Sequence, residues 1–132
     1  MIIYQTSFLE LAYWADEKCL YQHWRGFTSS ENFRIGILKS LECMQDYEII
    51  KIITDTREQG LVRKQDTDWV VLEIAPKMWA SGLIAQAFVL PQDIFTQVSV
   101  QNYSEQTTNL SQQLQISYFE NLDSAKKWLQ TL

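Results

Sequence analysis

With 132 residues, 46% of them hydrophobic and 20% charged, the chain is sized for one domain with its own core and is too apolar for disorder. A net charge of -5 and a pI near 4.8 count against nucleic acid and against an anionic membrane surface, since both need a concentrated basic face, and the adjacent basic pairs are only Arg63-Lys64 and Lys126-Lys127. No window reaches the ~18 to 20 apolar residues of a membrane span and the amino terminus has no signal-peptide pattern, so a cytoplasmic protein is expected.

Met1 to Gly26 is rich in β-branched and aromatic residues. Phe8 to Trp14 predicts one strand, Ala15-Asp16-Glu17-Lys18 a turn, and Leu20, Gln22 and Trp24 alternating with Tyr21, His23 and Arg25 a second strand, which together make a hairpin. Ile2 to Gln5 adds a short strand at its edge, and Gly26 closes the segment. Thr28 followed by Glu31 has capping-box spacing, and Phe33, Ile37, Leu41 and Met44 then recur at helical spacing up to Tyr47.

The stretch Glu48 to Arg57 is the centre of the pattern. Ile49, Ile50, Ile52 and Ile53 leave only Lys51 polar among them, which is too short a run for an ordinary helix and too continuously apolar for a strand wetted on one face. Such a strand belongs in a sheet covered on both sides, and hairpin, helix and strand in this order predict an α/β fold with a parallel crossover, almost always right-handed. Thr54, Asp55, Thr56 and Arg57 are then expected just past its carboxyl end, where open parallel sheets commonly bind ligands.

Glu58 to Gln65 reads as loop. A second helix is expected over Trp69 to Ser81, capped by Asp66 or Asp68, stopped by Gly82 and kinked or broken at Pro76. Its apolar residues encircle it, and such a surplus points to a partner. Leu83 to Leu90 is a strand, apolar except for Gln86. Pro91 and Asp93 open a weakly periodic third helix to Glu105, and Thr107 to Gln113 is a polar loop. Leu114 to Phe119 is the last strand, and Asn121 caps a terminal helix with Leu122, Ala125, Trp128 and Leu129 on one face.

Trp24-Arg25-Gly26, Asp55-Thr56-Arg57, the proline-broken Trp69 to Trp79 segment, a strand ending at Pro91, and Tyr118-Phe119 followed by Ala125-Lys126-Lys127-Trp128-Leu129 give the chain a likeness over nearly its whole length. It resembles small bacterial proteins of the STAS/SpoIIAA-like fold, whose best-known members are anti-sigma-factor antagonists. The resemblance implies a mixed, mostly parallel sheet with an amino-terminal antiparallel hairpin, helices on its faces, and regulation through protein contacts. It also aligns Asp55-Thr56 with the acidic residue and phosphorylated Ser or Thr of the signalling members. The small residue and glycine expected next are replaced by Arg57-Glu58-Gln59.

For Asp55, Thr56 and Arg57 two readings stand side by side: Asp55 paired with an arginine to order the local chain, or a contact to a ligand or partner. His23, the single histidine, has no partner indicated by spacing and is expected to be structural. Cys19 and Cys43 are expected to be ordinary reduced thiols. Most of the five tryptophans belong in the core, with Trp69 and Trp79 as the two that a partner would use. No phosphate loop, nucleophile elbow, paired acid/base or metal pattern is present, so no cofactor or metal is expected and the chain leans away from an enzyme. The expected function is a protein-binding or regulatory module, self-associating as a homodimer through the second helix, with a carrier of a small apolar ligand or lipid as the alternative.

Overall fold

The computed structural model of the chain describes residues 1–91 and 114–132. Among these residues six strands form one sheet in sequential order: β1 (Ile2–Gln5), β2 (Leu9–Trp14), β3 (Cys19–Gly26), β4 (Lys51–Gln59), β5 (Ala85–Val89) and β6 (Gln115–Phe119). β1, β2 and β3 pair antiparallel; β3, β4, β5 and β6 pair parallel. The fold is therefore α/β with a mixed, mostly parallel sheet, as the residue pattern predicts.

Helix α1 (Ser30–Asp46) returns the chain from β3 to β4. Its cap lies one residue beyond the expected Thr28, because Ser29 holds extended backbone and its side chain accepts from the Asn32 N–H. Phe33, Ile37, Leu41 and Met44 of α1 are buried against Leu9, Leu11, Leu20, Trp24 and Ile52 of the sheet. The opposite face buries Cys19, Ile53, Ala85, Ala87 and Val89 under the terminal helix α4 (Leu122–Gln130), which Asn121 caps by accepting from Ser124 N–H. Ile52 and Ile53, adjacent in β4, thus serve opposite cores.

The second crossover starts earlier than predicted. Helix α2 (Lys64–Trp69) runs through a π-helical turn (Val70–Ile74) into α3 (Ala75–Ala80), and its flanking residue Arg63 makes no side-chain cap. Asp66 does not cap the helix as expected; it accepts from Ser30 Oγ at 2.7 Å and Arg34 Nε at 3.0 Å, tying α2 to α1. The break expected at Pro76 is realised as the π turn. The Ala75 N–H reaches back to the Val70 carbonyl, so the chain absorbs one extra residue and Pro76 falls in the first turn of α3, where its missing N–H costs nothing. The helix expected over Pro91 to Glu105 and the loop Thr107 to Gln113 lie outside the described residues beyond Pro91.

Gly36 sets how closely α1 approaches the sheet. A methyl group there would lie 2.6 Å from Trp24 Cη2 and 2.8 Å from Leu9 Cδ2, both on fully buried side chains. Gly to Ala within a helix ordinarily stabilises by up to ~1 kcal/mol, but overpacking of a filled core costs about 1–3 kcal/mol. Gly36→Ala is accordingly expected to lower the stability measured by urea denaturation; a stabilised variant would show that this close contact has room to spare.

Candidate functional site

β4 runs on past the isoleucines, so Thr54, Asp55 and Thr56 lie inside the strand and not beyond its end as expected. The reason is that both neighbours continue with it: β3 and β5 are each parallel to β4 and pair with it as far as Gly26↔Gln59 and Asp55↔Val89. Both faces being covered, the alternation of a strand sends these polar side chains into two separate buried environments.

On the face toward α4, Asp55 has no exposed surface. Its carboxylate accepts from Tyr21 Oη at 2.7 Å, from Arg57 Nη2 at 2.7 Å, from Arg57 Nε at 3.0 Å and from the Arg57 backbone N–H at 3.2 Å. Burial would raise the Asp55 pKa, yet these hydrogen bonds and the guanidinium charge hold it below the ordinary carboxylate value. The same geometry raises Tyr21, first by burial and then by the carboxylate it donates to, and it holds Arg57 firmly protonated through the hydrogen bonds to Asp55. Trp14 stacks on Tyr21 at 5.2 Å, and Lys126 Nζ sits 4.5 Å above the Trp14 ring. Asp55 with its lone pairs committed and Tyr21 with its proton committed make a closed structural knot, the first of the two readings open in the sequence.

An extra residue in β4, between the pairs His23↔Asp55 and Arg25↔Glu58, changes which way the later side chains of the strand point. Arg57 and Glu58 both reach the Asp55 face, with Glu58 Oε1 3.4 Å from His23 Nε2, while Thr56 and Gln59 both line the other face. His23 also lies 3.4 Å from Arg25 Nη2, so its ring is held between charged neighbours.

On the face toward α1 and α2 there is a cavity of about 70 Å³, partly open to solvent. Its apolar wall includes Trp24, Phe33, Ile37, Val70, Met78 and Phe88. Gln22, Thr54, Thr56, Gln59 and Gln86 line it from the sheet and Thr67 from α2, and among the described residues no charged side chain lines it. Thr56 is 1% exposed and donates to the Val89 carbonyl at 2.9 Å, tying β4 to β5. It lies within β4 and not past the strand's carboxyl end as expected. The volume exceeds the ~10–15 Å³ that one water occupies and is about half of the ~150 Å³ of a cavity that encloses benzene, so a ring-sized guest would lie partly within the open mouth.

The predicted site residues therefore divide three ways. Asp55 and Arg57 bind each other on one face, Thr56 lines the cavity on the other, and Trp69 and Trp79 lie apart from both. Trp69 is partly buried under the Arg34 guanidinium at 4.8 Å, and Trp79 Nε1 donates to the Ala75 carbonyl at 2.7 Å. Gln22 and Gln86 are not singled out by the sequence as site residues, although each is a polar residue within a strand whose like-facing neighbours are apolar or small.

Cys19 and Cys43 belong to the cores on opposite sides of the sheet and are both free. Burial pushes the Cys19 thiol up to about 12 and also raises Cys43, so neither is a thiolate near neutral pH. Among the described residues no group of three His, Cys, Asp or Glu gathers in a geometry fit for a metal, and no helix is long and apolar enough to cross a membrane. In comparisons with known proteins, no family model and no curated relative matches the chain.

Asp55→Asn removes the charge that Arg57 faces and should cost about 2 kcal/mol at neutral pH, less than the ~3–5 kcal/mol of a fully buried pair because Arg57 is 43% exposed. Because folding lowers the Asp55 pKa, its contribution is complete above the unfolded value near 3.8 and disappears as pH falls through the lower folded value. Acid titrations of urea stability should therefore fall more steeply below that pH for the wild type than for Asp55→Asn, and parallel curves would refute the assignment. Alkylation of Cys19 at pH 8 should proceed only as fast as the protein unfolds; rapid labelling of the native state would contradict its burial.

Proposed function

We propose that this chain is a binding module for a small, largely apolar ligand, held between the sheet and helices α1 to α3. The observation that carries this reading is the cavity without a charged side chain among the described residues, whose aromatic and aliphatic wall is drawn from helices and sheet alike and whose polar groups come mostly from the strands. Binding sites for small molecules have this composition: mostly apolar walls with a few placed polar groups. Its position toward the carboxyl ends of β3 and β4 is where parallel sheets commonly accept ligands.

Of the roles open in the sequence, contact with a protein partner has the slimmer support. Val70, Val71, Ile74, Ala75 and Met78 are buried in the domain itself, so the encircling apolar residues of this helix are absorbed by its own core. On this segment Leu72, 67% exposed, and the half-buried Trp69 and Trp79 remain for self-association. We likewise propose kinship with the STAS/SpoIIAA-like fold, supported by the antiparallel hairpin that leads into a parallel sheet.

Val62 borders the cavity from the irregular segment before α2 and is only partly buried. Val62→Trp should fill the mouth while leaving the fold intact. Titration with small neutral aromatic compounds, observed by ¹H–¹⁵N NMR, is expected to move the Trp24 indole signal and the Gln22 and Gln86 side-chain amides in the wild type, and to leave them still in Val62→Trp. Signals that stay fixed for every compound up to its solubility would defeat the proposal.

A further inference from the structure

The polar side chains of the cavity form a relay whose hydrogen-bond direction is fixed from one end. Ser40 Oγ lies 2.9 Å from the Gly36 carbonyl, and since a carbonyl can only accept, the Ser40 proton points there. The Ser40 oxygen then accepts from Gln22 Nε2 at 2.8 Å, which turns the Gln22 amide oxygen toward Thr54. Thr54 donates its single proton to that oxygen at 2.7 Å. Having no second proton, Thr54 can only accept from Gln86, whose Nε2 lies 2.9 Å away. Reversing either glutamine amide would set two acceptors or two donors against each other, so the order of the whole row is dictated by the backbone of α1.

The consequence falls on Gln86. Its Oε1 is left buried with no hydrogen-bond partner among the described residues, on a side chain only 5% exposed that borders the cavity. A buried amide oxygen without a partner is destabilising, and a ligand able to donate to it would recover that loss. A carboxylate end is disfavoured twice, by repulsion from this oxygen and by the expense of burying a charge where the described residues of the wall supply no cation. A plain hydrocarbon fills the space but leaves the oxygen unpaired.

We propose that the cavity selects a neutral ligand whose buried end carries a hydroxyl, an alcohol or a phenol, and that Gln86 Oε1 accepts its proton while Trp24, Phe33, Met78 and Phe88 enclose the apolar part. This rests on the ligand-binding reading above and narrows it to hydrogen-bond donors; fatty acids and other anions are rejected.

Phenol and toluene have similar size and opposite predictions. In a wall that offers no acceptor toluene binds tighter, because phenol gives up its hydrogen bonds to water. With Gln86 Oε1 available, phenol should bind the wild type at least roughly tenfold tighter than toluene, and the Gln86 side-chain amide signals should shift on its addition. Gln86→Met keeps the length of the side chain and removes the acceptor, so it should reverse the order in favour of toluene. If toluene binds the wild type as well as phenol or better, the donor requirement is wrong while the binding site stands; a fixed water serving Gln86 would give this result. If phenol keeps its advantage in Gln86→Met, another atom selects it and the assignment is overturned. If neither compound binds, both this inference and the ligand-binding reading fail. Should Gln86→Met not fold, the wild-type ratio and the Gln86 amide shift decide alone.

Discussion

The constraint on which the structure depends is that β4 is buried on both faces. From Ile52 to Thr56 a parallel neighbour on each side and helices above and below cover the strand, so each buried polar residue there must find its partner inside the protein. Asp55 meets that requirement on one face by taking four hydrogen bonds from Tyr21 and Arg57. Thr54 meets it on the other by joining Gln22 and Gln86 in a row across three strands. One strand thus carries an ionic solution and a neutral one, back to back, separated by the thickness of a sheet.

The two solutions differ in what they leave over. Around Asp55 the donors and acceptors close on each other, with Trp14 and Lys126 stacked outside them. Around Thr54 the row begins at a helix carbonyl and runs out at Gln86, beside an uncharged cavity. The Asp55–Arg57 pair is committed to holding β3 and β4 in place, whereas the buried side-chain atom left without a partner among the described residues is a neutral amide oxygen.

Much of this architecture could be read from the residues. Ile49 to Ile53 identify a strand covered twice, the alternation from Phe8 to Arg25 gives the hairpin, and the spacing of Phe33, Ile37, Leu41 and Met44 gives the first crossover. Those signals survive because each is a repeat of burial. The extent of β4 was less legible, since Thr-Asp-Thr looks like the polar end of a strand; only pairing with β3 and β5 shows that these residues are interior. Asp66 shows the same limit, for its place near a helix start suggests a cap, and what claims it is Ser30 and Arg34 from a distant segment. The isolated Gln86 in an apolar strand was visible as an oddity. Its meaning came from a row of partners far apart in sequence, whose direction is set by a carbonyl of α1.

The π turn between α2 and α3 has a consequence for the roof of the cavity. Val70 and Met78 both face into it, although eight positions separate them and a regular α-helix would leave them about 80° out of line. The additional residue accommodated ahead of Pro76 takes up most of that angle. What looks in the sequence like an interruption is a phase correction: it allows a single rod, entering at one inclination, to lay a valine and a thioether along the same line.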